Sequence, residues 1–153
     1  MNYLKENYVE RIKNASPIQL ILITFELTIV NLEDAKQSTD DSEKFESHIR
    51  KSQEFLMQLM SSLDMGYKIS SHLLSIYLYV NKLLHEAYFS KDIKNIDDCI
   101  EMLKSLLSSF EFAERAEVSD NYTLGSNIHA GYTYKNGAIE ELFFEPPNSG
   151  FKA

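Results

Sequence analysis

Residues 14–27 read NASPIQLILITFEL, and the fold is decided here. Ser16 suits a helix N-cap, because its hydroxyl can accept from a free amide of the first turn. Pro17 suits the first helical position, where its missing N–H would be unpaired anyway, and Gln19 stands where a capping box places Glu or Gln. A helix over about residues 17–36 follows. Of the fifteen residues 18–32, ten are apolar, whereas a helix covering a single core needs roughly three or four in seven. The excess has two explanations. Either this is a central helix touching several neighbours, or one of its apolar faces receives an amphipathic helix from another protein.

The remaining helices are placed by working outward from this one. Upstream, Tyr3, Leu4, Tyr8, Val9 and Ile12 recur at helical spacing, which predicts a short amphipathic segment over residues 3–13. Downstream, Asp40 with Glu43 is expected to open a helix whose seam is Phe45, Ile49, Ser52, Leu56, Leu59 and Leu63, with Phe55, Met57 and Met60 off that line. A break at residues 64–66 leads to a third long helix, about 69–90. It carries two seams, Ile69-Leu73-Ile76-Val80-Leu83-Ala87 and Leu74-Tyr77-Leu84-Tyr88. The turn at residues 90–92 precedes a fourth, with Ile93, Ile96, Ile100, Leu103, Leu107 and Phe110 on one face. Four long amphipathic helices with short connections predict an all-α fold, an antiparallel up-down four-helix bundle with a short N-terminal helical segment.

Between Pro17 and Gly125 there is no proline and one glycine, Gly66, whereas four of the five glycines and two of the three prolines follow. A helical bundle over residues 1–115 and a non-helical C-terminal extension over 116–153 are expected. Within the extension, Asn136-Gly137 between aromatic-containing runs signals a type I′ β-hairpin. Such a hairpin is marginal alone and needs a surface to pack on.

The net charge of −8 opposes nucleic acid or an anionic membrane as partner. No stretch has the length and apolarity of a membrane span or the uninterrupted core of a secretory signal, so a cytoplasmic location is expected. The single cysteine, Cys99, excludes an internal disulfide and a cysteine-based zinc site. Nor is there a cluster that carries chemistry. The positions three before His48, His72, His85 and His129 are Phe45, Ile69, Lys82 and Ser126, so no Glu-x-x-His pair exists for a di-iron site. Phosphate-cradling glycine loops, G-x-S-x-G and H-E-x-x-H are absent. No catalytic residue, cofactor or metal is expected.

Ala15-Ser16-Pro17, Gln19-Leu20-Ile21 and Phe25-Glu26, then the run LMSSLDM at residues 59–65, then Leu73, Ile76-Tyr77, Tyr79, Leu84 and Ala87, resemble the flagellin export chaperone family FliS. The likeness covers roughly residues 3–112. It implies a cytoplasmic, non-enzymatic chaperone that binds the C-terminal segment of flagellin in hydrophobic grooves, prevents premature polymerisation and supports export, with export-apparatus components as further partners. The family pattern and the apolar positions together give Leu22, Phe25, Ile29, Phe55, Met60, Leu74, Tyr77 and Tyr88 as candidate groove residues. The resemblance also implies an N-terminal lid, here Tyr3, Tyr8 and Ile12. The chain departs from the pattern at Leu27-Thr28, Leu78, Lys82-Leu83 and Phe110, and from Glu114 onward it has no counterpart in it. A second expectation is therefore a FliS-like regulatory or structural module whose own tail, residues 132–144, occupies the groove or mediates self-association. Monomer and homodimer both remain open.

Overall fold

A computed structural model of the protein describes residues 2–124, with side chains from 7 to 116. The elements of the described residues are all helices, joined by short connections: α1 (Asn2–Lys13), α2 (Pro17–Gln37), α3 (Ser42–Ser61), α4 (Lys68–Ser90) and α5 (Ile93–Leu124). The hairpin expected at Asn136-Gly137 lies outside them.

The start of α2 is built as its residues dictate. Ser16 Oγ accepts from the Gln19 amide at 3.3 Å, and Gln19 Oε1 accepts from the Ser16 amide at 3.0 Å, which completes a capping box. The expected N-cap of α3 shifts by one residue. Asp41, not Asp40, takes the role, its carboxylate accepting from the Lys44 amide at 3.1 Å. Two adjacent aspartates offer the same chemistry, and the preceding turn, Asp41 N–H to Ser38 C=O, selects the second. Helix α4 is closed by Lys91 in the left-handed region, φ 57°, with its amide bonded to Ala87 C=O.

The expected limit of the last helix at residue 115 is overrun, for α5 continues to Leu124, the last described residue. Residues 116–124 contain neither glycine nor proline, so nothing in the backbone ends the helix where the apolar seam runs out.

Helix α2 packs on α3 and α5, and α4 packs on the same two, so the four long helices close a ring. Side-chain contacts give every adjacent pair its direction. Asn31 late in α2 meets His48 early in α3, and Lys91 after α4 bonds Ser42 at the start of α3. Cys99 early in α5 reaches Val80 C=O late in α4. Lys36 pairs with Asp97 while Gln19 bonds Glu114, which fixes α5 against α2. Neighbours therefore run in opposite directions in an up-and-down helical bundle, as short connections require.

The core is a single cluster drawn from all four long helices. At one level of it the Phe25 ring lies 5.3 Å from Phe110 and 6.2 Å from Tyr77. Ser52, the one polar residue of the α3 seam, and Thr28 of α2 are fully buried, and each hydroxyl donates to the carbonyl four residues back, at 2.9 and 2.7 Å. These are small side chains, and α2 with α3 forms the most extensive contact in the ring. The two seams expected on α4 merge into one broad buried face, since Tyr77 and Leu84 are as deeply placed as Leu73 and Val80.

Candidate functional site

The eight candidate groove residues divide by depth. Phe25 and Tyr77 are core, at 0% and 1% exposure, and Leu22 and Ile29 are buried with them. Phe55, Met60, Leu74 and Tyr88 are half-buried and lie along seams between helices. Helical spacing explains the mixture, because a residue one step off the core line is still apolar and still points towards a neighbouring helix.

Three of the four half-buried residues mark the α3–α4 seam. On α3 the face Glu46, Arg50, Gln53, Met57, Met60 borders α4, and on α4 the face Leu74, Leu78, Asn81, His85, Tyr88 borders α3. Two contacts set their antiparallel register. Gln53 Nε2 donates to Asn81 Oδ1 at 3.0 Å, and Tyr88 Oη donates to Glu46 Oε2 at 3.1 Å. Arg50 also donates to Tyr88 Oη, and its guanidinium lies over the Tyr88 ring. The Tyr88 bond holds the Arg50 guanidinium above its ordinary pKa. This end of the seam is polar and cross-braced. Continuing the same register brings Met57 and Met60 opposite Leu78 and Leu74, where the seam is apolar and open: Met57 is 65% exposed and Leu78 52%.

Phe55 belongs to another seam, between α3 and α2. It follows His48 and Lys51 on the α3 face towards Asn31, and Lys51 Nζ lies 5.4 Å from its ring centroid. Leu20 of α2 is exposed along the same seam.

The lid residues fall on α1. Tyr3 is helical, though its side chain lies outside the described ones. Tyr8 is half-buried, and Ile12 is exposed. What fastens α1 to the bundle is Arg11, whose guanidinium makes a two-pronged bond to Glu26 of α2, at 2.6 and 2.9 Å. That bond raises the Arg11 pKa above its ordinary value, and burial beside Glu26 raises that of Tyr8. Beneath lies Ile23, 3% exposed yet not part of the shared core. It lines a cleft of about 540 Å³ with Leu22, Arg11 and Asn14 on one side and Glu111 and Glu114 on the other. An apolar residue on the outer side of α2 is thus covered by α1.

Sequence reasoning missed a further groove of about 320 Å³ between α4 and α5, lined by Ile76, Met102 and Leu106. It also left Leu78 out of the candidate groove, while it placed Met57, with Met60 and Phe55, as an adaptable wall of it. Met57 was visible as an apolar residue off the seam, and Leu78 as a departure from the family pattern. Cys99 is fully buried, and burial pushes its thiol up to about 12, the protonated and inert form.

Among the described residues no group of three or more His, Cys, Asp or Glu could hold a metal ion, and no helix is long and apolar enough to cross a membrane. The fold is thus an all-helical bundle with apolar seams left open between neighbouring helices. The family model described as flagellar protein FliS matches residues 1–117, and the chain belongs to that family of flagellar export chaperones. No curated protein matches the chain.

Proposed function

We propose that this protein is a cytoplasmic chaperone that captures the C-terminal segment of flagellin in its interhelical grooves. Capture holds the segment back from premature polymerisation until export. The observation that carries this reading is the open apolar half of the α3–α4 seam, Met57, Met60, Leu74 and Leu78, on a chain of the FliS family. An amphipathic client helix laid there exchanges water for apolar contact, about 25 cal/mol for each Å² covered, less the cost of ordering a flexible client. No residue is asked to do covalent chemistry.

Calorimetric titration of the full chain with a flagellin C-terminal peptide tests it. Saturable binding with a negative heat-capacity change is expected, and Leu78→Asp should weaken it at least about tenfold, equivalent to about 1.4 kcal/mol. Leu78 is half-exposed and outside the shared core, so the helical signal should be unchanged. No saturable heat, or equal affinity in a folded Leu78→Asp protein, would exclude this groove as the client site.

A further inference from the structure

We propose that the protein forms a two-fold symmetric, antiparallel dimer in which the outward face of α4 packs on the same face of a second copy. The inference is independent of the client reading: Leu78, which borders α3, is not among its residues, and its test uses no client.

It begins with aromatic residues that the fold leaves uncovered. The buried line of α4 includes Leu73, Tyr77, Val80, Leu84 and Ala87, which face the shared core. Tyr79, Lys82, Glu86 and Phe89 follow one another at spacings of three, four and three residues, so they form a stripe on the side of the helix turned away from that core. All four are exposed, Tyr79 to 50% and Phe89 to 71%. Helices α3 and α5 flank α4 and leave this stripe between them. Aromatic side chains are enriched at contact surfaces, and here two of them bracket a lysine and a glutamate.

The order of residues along the stripe says what the surface fits. Lys82 and Glu86 each stand two residues from Leu84, and Tyr79 and Phe89 each stand five from it. A two-fold axis passing beside Leu84 therefore brings Lys82 level with the partner's Glu86 and Tyr79 level with the partner's Phe89, and symmetry makes each pairing twice. A parallel arrangement would set lysine against lysine and glutamate against glutamate, which like-charge repulsion opposes. The stripe carries one positive and one negative charge, a net of zero, although the whole chain carries −8. A second acidic copy thus meets no net repulsion at the contact itself, and repulsion from charges farther away is screened beyond about 8 Å at physiological salt. Helix α4 is 23 residues long, about 35 Å. One such helix face laid on its copy buries about 1,200 Å² or less, the size of transient contacts. The dimer is accordingly weak and concentration-dependent.

Sedimentation equilibrium of the full chain at physiological salt, from micromolar to millimolar concentration, tests it. The average mass should rise from 17.7 kDa towards twice that value. Lys82→Glu and Glu86→Lys should each weaken association at least about tenfold, because either change sets like charges opposite one another twice. The chain carrying both changes should associate as the parent does, since the exchange preserves every pairing. Tyr79→Ser with Phe89→Ser should stay monomeric and keep the helical signal, as both residues are exposed and outside the shared core. A parent that is monomeric throughout, a dimer that the single charge changes or the loss of both rings leaves intact, or a double charge exchange that fails to restore association would each overturn the proposal.

Discussion

Phe25 and Leu78 are both large and apolar, yet substitution should separate them completely. Phe25 is fully buried between Phe110 and Tyr77, so Phe25→Ala leaves a cavity and should cost about 3–5 kcal/mol of unfolding free energy in urea melts. Leu78→Ser removes a side chain that is half in water and should stay within about 0.5 kcal/mol of the parent in the same melts. The sequence showed Phe25 in the apolar run of α2 and Leu78 only as a departure from the family pattern; neither sign ranks depth, because depth depends on which helix stands opposite. Cys99 carries a pH dependence of its own. Its ordinary value near 9 is raised to about 12 by burial, so unfolding releases a thiol that ionises more readily than the folded one. Its contribution to stability is complete below about pH 9 and is lost as pH rises towards 12. The fall over that window should be shallower in Cys99→Ala, as thermal melts at pH 8 to 10.5 would show.

At the scale of the helix, caps and breaks were the most legible features. Ser16, Pro17 and Gln19 announced α2 because capping chemistry is local and needs no partner from elsewhere in the chain. Ser16→Ala should therefore cost about 0.5–2 kcal/mol, measurable by denaturant titration. Conversely, Lys91→Gly relieves a left-handed residue and should raise stability by about 0.5–1 kcal/mol, less the surface contact of Lys91 with Ser42. The limit of α5 was illegible for the opposite reason: amphipathic pattern reports burial, and a helix can continue past the last residue it buries. Helix α1 was foreseen from its spacing, but its attachment was not, since Arg11 and Glu26 are fifteen residues apart on different helices. This pair is partly exposed and worth about 1 kcal/mol. Arg11→Ala should thus speed hydrogen exchange of the α1 amides about fivefold while leaving those of α4 unchanged.

The whole bundle was readable because each long helix repeats the same instruction, an apolar line of the right period with a polar connection at its end. What could not be read was the surplus, the apolar residues that face outward between helices, because a seam exists only once two helices are side by side. Ile23 shows this most clearly. It looks like one more core residue of α2, but it lies outside the shared core and beneath α1.

The α3–α4 seam has unlike ends, and this gives it a sense of direction. A bound segment whose apolar turn rests on Met60 and Leu74 must bring its opposite end to Glu46, Arg50 and Tyr88, where only polar atoms find partners. The same residues presented in reverse order would set apolar side chains against the braced end and leave polar ones over the methionines. Under the proposed capture, the groove would discriminate between a sequence and its reversal of identical composition, reading the order of residues in its partner as well as their hydrophobicity.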